Sequence, residues 1–478
     1  MEEEAIVLYP SPAIGHLISL VELAKFILSR RPSLSVHILL APEAYASAGS
    51  TAPYIASVSD SIPSIKFHHL PNQTLSITSK DVKHFETLTF RLLRLSNPQV
   101  HKTLEDISKT YTIKAFIIDF FCTCSLTVAS QLGIPTFYYF TSPAGCLAFF
   151  LHLSTLHEST TKSFKELGRT PLYVPGVPPL PASDTPKPVL YREDEAYGYF
   201  LEFSEVAPRS AGILINTFEA LEARTVRALR EGLCMPGNPN PPLYCIGPLI
   251  SDRKDEVARG ECLKWLDSQP NKSVIFFCFG SLGLFSKAQL EEIAVGIEKS
   301  RQRFLWVVRN PPNNDNDVAL YGGAEPDLDA LLPEGFLERT KDKGFVVKSW
   351  APQVAVLNHG AVGGFVSHCG WNSVLEAVRA GVPMVAWPLY AEQRLNRVLL
   401  VEEIKIGIPM VEREEDGFVG RDEVERRVRE LMESERGVAL RDRSAAMREA
   451  AWAALEDGGS SIVDLDNFFA SWKHTSGV

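Results

Sequence analysis

The chain has 478 residues, of which 45% are hydrophobic and 22% are charged, and these proportions are typical of a folded globular protein. Its formal net charge of -10 argues against a nucleic-acid surface or an anionic membrane as the partner. No segment approaches 18 uninterrupted apolar residues, and the amino terminus lacks the basic flank of a signal peptide. We therefore expect a cytoplasmic protein of two large domains, and a monomer.

Strand and helix patterns alternate along the first half of the chain. Short apolar runs typical of buried parallel strands occur at 5–10, 115–120, 136–140 and 212–218, and helical spacing at 17–29 and 82–107. This alternation implies right-handed crossovers and a parallel sheet. Prolines then dominate Pro236–Pro242, which we interpret as a linker.

The same alternation resumes after the linker. The runs SVIFFCFGS, FLWVVR, FVVKSW, GGFVSH and PMVAWP predict strands, and 287–300 and 421–455 have helical patterns. The predicted fold is therefore α/β, with two doubly wound parallel-sheet domains that face a cleft. The first domain is predicted to span residues 1–242 and the second residues 243–458.

One stretch, from Trp350 to Gln393, combines a strand, a glycine-rich turn and a helix. GGFVSHCG supplies the strand and turn, and WNSVLEAVRAG supplies the helix. Asn372 and Ser373 lie at the start of that helix, where backbone N–H groups and the positive end of the dipole favour a phosphate. His368 adds a further donor just before the turn.

These 44 residues resemble the signature box of plant family 1 UDP-sugar glycosyltransferases. WAPQ, HCGWNS, the following glutamate, GVP, WP and the closing Glu392-Gln393 all stand in register with it. The resemblance implies the two-domain GT-B fold, with Rossmann-like domains, and a UDP-sugar as the donor substrate. It also implies that residues 459–478 return to the first domain, which would bind the acceptor while the second binds UDP-sugar.

Two residues of the first half are candidates for catalysis. Asp119 ends an apolar strand, and His16 lies between the first strand and the following helix. A carboxylate that accepts an imidazole N–H fixes the tautomer and leaves the other nitrogen to take a proton. A helix-capping His16 and a solvated Asp119 explain the pattern equally well. The family resemblance favours a catalytic pair, with His16 as general base and Asp119 as its orienting partner.

The resemblance also implies roles in donor binding. Trp350 would stack on uracil, Ala351 would read its edge through the backbone, and Gln353 and Glu376 would hold the ribose. The remaining implied donor-binding residues, for phosphate or sugar, are Gly15, Thr141, Ser281, His368, Gly370, Trp371, Asn372, Ser373, Glu392 and Gln393. Core packing of the tryptophans and a solvated Glu392 are the structural alternatives.

Glucose is the sugar that the resemblance favours. Gln393 closes the box as in glucose-using relatives, and the neutral Trp371 stands where glucuronate users tend to carry arginine to pair with a carboxylate. Expected transfer is a single in-line displacement that gives a β-O-glucoside of a small aromatic acceptor such as a flavonoid, chalcone or phenol. C-glucosylation and another UDP-sugar stay open. Candidate acceptor-binding residues are Phe120, Phe121, Phe149, Phe200 and Tyr390.

Two rival functions remain. A metal-dependent transferase would use an Asp-x-Asp pair, which occurs at 315–317, 327–329 and 464–466, but none of these follows an apolar strand. Cys122 and Cys124 are too close together to form a zinc site alone. We therefore expect no metal and no cofactor. A UDP-sugar sensor would need the donor box without a base, whereas both His16 and Asp119 are present.

Overall fold

The computed structural model describes residues 3–42, 51–73, 75, 82–251, 260–312 and 325–472. Contacts within the chain divide it into two compact units. Unit 1 comprises Met1–Ser251 together with Ala453–Val478, and unit 2 comprises Asp252–Trp452. The division into an acceptor-binding domain at 1–242 and a UDP-sugar-binding domain at 243–458 stays a prediction.

Unit 1 is built on a seven-stranded sheet in the order β3-β2-β1-β4-β5-β8-β9, with every neighbouring pair parallel. Its strands are β1 (Glu3–Tyr9), β2 (Ser35–Leu40), β3 (Ile65–His69), β4 (Tyr111–Asp119), β5 (Thr136–Phe140), β8 (Gly212–Ile215) and β9 (Leu243–Cys245). A separate antiparallel pair is formed by β6 (Pro171–Leu172) and β7 (Leu180–Pro181). The parallel sheet that the sequence predicts is confirmed.

The apolar runs form central strands because both faces of the sheet are covered. Residues 5–9 of β1 are fully buried, and Leu8 pairs in register with Ile38 on one side and Ile117 on the other. The helices of unit 1 are α1 (Ile14–Arg30), α2 (Thr51–Ser61), α3 (Phe85–Leu95), α4 (Asn97–Ser108), α5 (Leu126–Gln131), α6 (Ala144–Leu151), α7 (Leu153–Ser159), α8 (Phe164–Leu167), α9 (Glu195–Val206), α10 (Ala223–Arg230) and α20 (Ser460–Ser471).

The single helix predicted over 82–107 is wrong in its continuity, because α3 and α4 are separate. The break lies at Ser96, whose hydroxyl donates to the Leu92 carbonyl at 2.9 Å. Pro98 follows in the first turn of α4, where its missing N–H costs nothing. In an uninterrupted helix the same ring would clash with the preceding turn, so the proline fixes the break.

Unit 2 is built on a six-stranded parallel sheet in the order β12-β11-β10-β13-β14-β15. Its strands are β10 (Val274–Cys278), β11 (Arg303–Val308), β12 (Gly344–Lys348), β13 (Val362–Ser367), β14 (Met384–Ala386) and β15 (Gly407–Pro409). Its helices are α11 (Glu261–Asp267), α12 (Lys287–Ser300), α13 (Leu328–Leu331), α14 (Phe336–Thr340), α15 (Gln353–Leu357), α16 (Trp371–Ala380), α17 (Gln393–Val398), α18 (Arg421–Glu433) and α19 (Glu435–Leu455), the last of which runs into unit 1. No helix in the described ranges is long and apolar enough to cross a membrane.

The carboxy-terminal helix α20 packs against the sheet of unit 1. Phe468 is fully buried, and its ring meets those of Phe137 and Tyr244 at centroid distances of 4.9 and 5.7 Å. Asp464 accepts hydrogen bonds from the Cys245 N–H at 2.7 Å and from the Arg230 guanidinium at 2.8 Å. The last helix is therefore an integral part of unit 1.

Phe468→Ala tests this packing. Removing a fully buried ring leaves a cavity, and we expect unit 1 to lose about 3–5 kcal/mol of unfolding free energy. Urea unfolding monitored by intrinsic fluorescence gives the measurement, and Asp466→Ala on the exposed face of α20 is the control. Equal unfolding midpoints for the two variants would contradict the packing described.

Candidate active site

The candidate site of unit 1 forms where β1 and β4 end side by side. The two strands pair from Glu3↔Tyr111 to Tyr9↔Ile118, so both chains leave the same edge of the sheet. Asp119 is the last residue of β4. Helix α1 begins at Ile14, earlier than the predicted start at residue 17, so His16 lies in its first turn and does not cap it.

This arrangement brings His16 and Asp119 into direct contact. His16 Nδ1 lies 2.6 Å from Asp119 Oδ2, and the other carboxylate oxygen accepts the Phe121 N–H at 3.0 Å. Asp119 is fully buried, whereas 24% of the His16 side chain is exposed. A proton held on Nδ1 by the carboxylate fixes the tautomer in which Nε2 carries the lone pair. Thr141 also lies close to this pair, with its hydroxyl oxygen 3.2 Å from His16 Nδ1.

Aromatic rings surround this histidine. The rings of Phe121 and Phe120 lie 5.6 and 6.2 Å from that of His16. Phe90 contacts Phe121 at 4.9 Å and meets Phe200 edge-on at 5.3 Å. Phe90 could not be identified as a neighbour of the site from the sequence, because it lies within an amphipathic helix pattern in which an apolar residue indicates core.

Two other residues of unit 1, Phe149 and Gly15, are also predicted from the sequence to bind substrate. Phe149 is fully buried in α6, where its ring contacts Phe150 and Phe164 at 5.5 and 6.1 Å, as a core residue does. Gly15 precedes His16 in the first turn of α1 and is partly exposed.

A separate candidate site lies in unit 2 at the start of α16. Gly370 precedes the helix, and Trp371, Asn372 and Ser373 form its first turn. Backbone N–H groups of a first turn point away from the helix and attract an anion. Trp371 is itself 97% buried, since its exposed fraction is 3%.

His368 is enclosed between two glycines beside this turn. A Cβ added to Gly280 would lie 2.6 Å from the His368 ring, and one added to Gly370 would lie 2.4 Å from His368 Nε2. Only glycine admits so close an approach. Burial lowers the pKa of His368 to about 4, so the ring is neutral at pH 7 and offers an N–H donor without a full charge. Ser281, whose carbonyl accepts from the Arg309 guanidinium, is partly exposed in the loop after β10.

Gln353 and Glu376 are joined by a hydrogen bond. The Gln353 amide donates to the Glu376 carboxyl at 2.6 Å and to the Ser373 hydroxyl at 2.9 Å. Desolvation raises the pKa of Glu376 to about 7, although the Gln353 donor acts in the opposite direction. Nearby, half of the Trp350 side chain is exposed, at 50%, while Ala351 is buried. Such an exposed indole face is available to stack on a planar ring.

The closing Glu392-Gln393 pair lies at the start of α17. Gln393 is 2% exposed, and its side-chain oxygen accepts the N–H groups of Leu389 and Tyr390 at 2.9 and 3.0 Å. Glu392 accepts a hydrogen bond from Asn396, which also donates to the Cys369 carbonyl at 2.9 Å. Asn396 thus ties this helix to the turn before α16, a role that the sequence analysis missed because the box ends three residues earlier.

The acidic pairs considered as metal ligands have other contacts. Asp327 caps α13 by accepting the Ala330 N–H at 3.3 Å, and Asp464 holds β9 as described above. The pair at 315–317 lies outside the described residues. Across the described ranges, no three His, Cys, Asp or Glu side chains are grouped so as to hold a metal ion.

Tyr390, a predicted acceptor-binding residue, lies in unit 2, with its ring 5.8 Å from that of His368.

Comparison with known proteins identifies the family. Residues 216–412 match the family described as UDP-glucoronosyl and UDP-glucosyl transferase. UDP-glycosyltransferase 88B1 of Stevia rebaudiana is 50% identical over 475 residues, which cover 99% of this chain and 100% of the relative. Phloretin 2'-O-glucosyltransferase of Pyrus communis is 49% identical, covering 98% of this chain and 99% of the relative.

A solved structure agrees with the fold. UGT2 of Phytolacca americana, complexed with UDP-2fluoro-glucose and pterostilbene, superposes with a TM-score of 0.85 at 37% identity, covering 99% of this chain and 100% of that one. The predicted GT-B fold class is thereby confirmed. The chain belongs to the UDP-glucoronosyl and UDP-glucosyl transferase family, and within it to the plant family 1 UDP-glycosyltransferases.

Proposed function

We propose that this enzyme transfers glucose from UDP-glucose to a hydroxyl of a small aromatic acceptor and releases a β-O-glucoside and UDP. The observation that carries the proposal is the 2.6 Å contact between His16 Nδ1 and the buried Asp119 carboxylate. The names of the relatives support the substrate class, since one glucosylates phloretin and a solved one binds a fluorinated UDP-glucose with pterostilbene.

His16 acts as the general base in this proposal. As the acceptor oxygen forms its bond to the anomeric carbon, its proton passes to Nε2, and the bond from that carbon to the diphosphate oxygen breaks. Asp119 orients the ring and stabilises the imidazolium that results. Attack opposite the leaving group inverts the α-linked donor to a β-glucoside.

Unit 2 binds the donor and stabilises the leaving group. The first turn of α16 and the neutral His368 donate N–H groups to the diphosphate, on which negative charge builds as UDP departs. Trp350 stacks on uracil, and Gln353 and Glu376 hold the ribose. Gln393 keeps its side-chain oxygen on the backbone, so its NH2 group is the one that addresses the sugar.

The aromatic rings near His16 support an aromatic acceptor. Phe120 and Phe121 present flat apolar surface within 6.2 Å of the histidine ring, and a planar phenol stacks well on such surface. A hydroxyl on the same molecule then meets the base. No metal takes part in the proposed reaction.

The product tests the substrate assignment. We expect a β-O-glucoside from UDP-glucose with a panel of flavonoids, chalcones and phenols, at the same rate with or without EDTA. Mass spectrometry and NMR of the product give the linkage and the anomeric configuration. A carbon-linked sugar or an EDTA-sensitive rate would contradict this assignment, and UDP-glucose binding without any transfer across the panel would favour a sensor.

Replacing the base tests the mechanism. We expect His16→Ala to lower kcat/KM by about 10²–10⁴-fold, the usual contribution of a general base. We expect the binding of UDP-glucose, measured by calorimetry, to change little, because most of the proposed donor-binding residues are on unit 2. His101→Ala, a partly exposed histidine of α4, is the matched control and keeps full activity. A His16→Ala enzyme as fast as the control would remove the base from the mechanism.

The raised pKa of Glu376 predicts a pH dependence of donor binding. With a pKa of about 7, the carboxyl is mostly neutral at pH 6 and mostly ionised at pH 8. An ionised carboxylate accepts hydrogen bonds from ribose hydroxyls more strongly, so UDP-glucose binds more tightly as pH rises, by up to about tenfold over this interval. His368 titrates near pH 4 and adds nothing there.

Calorimetric titration with UDP-glucose at several pH values gives the measurement, since this diester does not itself titrate in the interval. Glu376→Gln is the control, and we expect its affinity to be independent of pH. A wild-type affinity that stays constant between pH 6 and pH 8 would show that Glu376 does not hold the ribose as an ionised group.

A further inference from the structure

Another buried carboxyl group of unit 1, that of Glu222, is linked to the catalytic pair through a chain of contacts. Glu222 is fully buried in the loop after β8. Its two oxygens accept the Ala144 N–H at 2.9 Å and the Gly145 N–H at 3.0 Å, and the Thr217 hydroxyl donates to it at 2.7 Å. The sequence gave no indication of these buried contacts, because Glu222 lies in a short polar segment between a strand and a helix.

The two backbone donors belong to the first turn of α6. N–H groups at a helix start have no acceptor within the helix, and the positive end of the dipole favours a carboxylate there. A buried carboxylate in turn needs hydrogen-bond donors, and hydrogen bonds to a charged group are among the stronger ones. Glu222 therefore fixes the position at which α6 begins.

That position determines where Thr141 lies. Only residues 141–143 connect the end of β5 to the start of α6, and Thr141 and Ser142 are buried. At the other end of this turn, the Asn216 N–H donates to the Phe140 carbonyl at 3.2 Å. With both ends held, the Thr141 hydroxyl is kept 3.2 Å from His16 Nδ1.

We propose that Glu222 is a positioning residue for the transfer reaction, acting through the first turn of α6 and Thr141 on the imidazole of His16. This inference rests on the proposed function, in which His16 is the base. Glu222 does not touch a reacting atom; it holds the loop that carries the Thr141 hydroxyl, which lies beside Nδ1. Loss of its hydrogen bonds would loosen Thr141, and with it a restraint on the orientation of the ring.

A double-mutant cycle with Thr141 tests the proposal. Glu222→Gln keeps the shape of the side chain but turns an NH2 group toward one of the backbone donors, and Thr141→Ala removes the hydroxyl near His16. We expect each single change to lower kcat about tenfold, and we expect Glu222→Gln to change the KM for UDP-glucose by less than about twofold. Because both changes act through the same contact, we expect the kcat of the double variant to be no lower than that of the less active single variant.

Asp464→Asn is the matched control. Asp464 is also a buried carboxylate of unit 1 that accepts a backbone N–H, but it holds β9 and not α6. We expect its kcat to equal that of the wild type. Equal losses in Glu222→Gln and Asp464→Asn, unchanged kcat in Glu222→Gln, or losses that multiply in the double variant would each overturn the proposal.

A spectroscopic readout separates this inference from the proposed function. The His16 imidazole resonances, assigned by their loss in His16→Ala, should shift in Glu222→Gln and in Thr141→Ala but not in Asp464→Asn. Undiminished glucosyl transfer by His16→Ala would refute the role of His16 as general base. The shifts of the His16 resonances in Glu222→Gln and Thr141→Ala could still be measured. If Glu222→Gln does not fold, Thr217→Ala removes one donor from Glu222 and should shift the same resonances; an unchanged His16 spectrum would then count against the proposal.

Discussion

The parallel pairing of β1 with β4 is the constraint on which the proposed chemistry depends. His16 and Asp119 are far apart in the chain, and they meet because these two strands lie side by side and end at the same edge of the sheet. The pairing in turn requires apolar coverage on both faces, which the fully buried residues of β1 provide. A short hydrogen bond in the site thus depends on packing beneath it.

In the proposed reaction, the two units would bind their ligands by different physical means. Unit 1 surrounds a partly exposed histidine with aromatic rings and holds it from one side by a buried acid. Unit 2 uses the backbone of a helix start and a histidine that burial keeps neutral. In the proposed reaction, a neutral donor would suit a diphosphate that must leave, because a full positive charge would also bind the product tightly.

Sequence patterns predicted the parts of the site that are local. The donor box is one contiguous stretch, so its strand, turn and helix could be recognised together, and Asp119 was expected at a strand end. Which strands are neighbours could not be predicted, because order in a sheet depends on crossovers and not on any single run. Phe90 and Glu222 could not be identified either, because an apolar residue of an amphipathic helix indicates core and a glutamate in a short polar segment indicates exposed surface.

The break between α3 and α4 gives the opposite case, in which a local signal was present at Pro98 but the longer periodicity outweighed it. When a helix is predicted from periodicity, a proline within the pattern should be treated as a boundary before the periodicity is extended across it.

The return of α20 to unit 1 has a consequence for synthesis of the protein. Strand β9 ends the sheet, and Asp464 accepts the N–H of Cys245 on it. While the ribosome is still making unit 2, this strand and the apolar surface that Phe468 later covers are without their final partner. Unit 1 therefore completes its fold only after unit 2 has left the ribosome, and the nascent chain carries an open sheet edge while unit 2 is being synthesised.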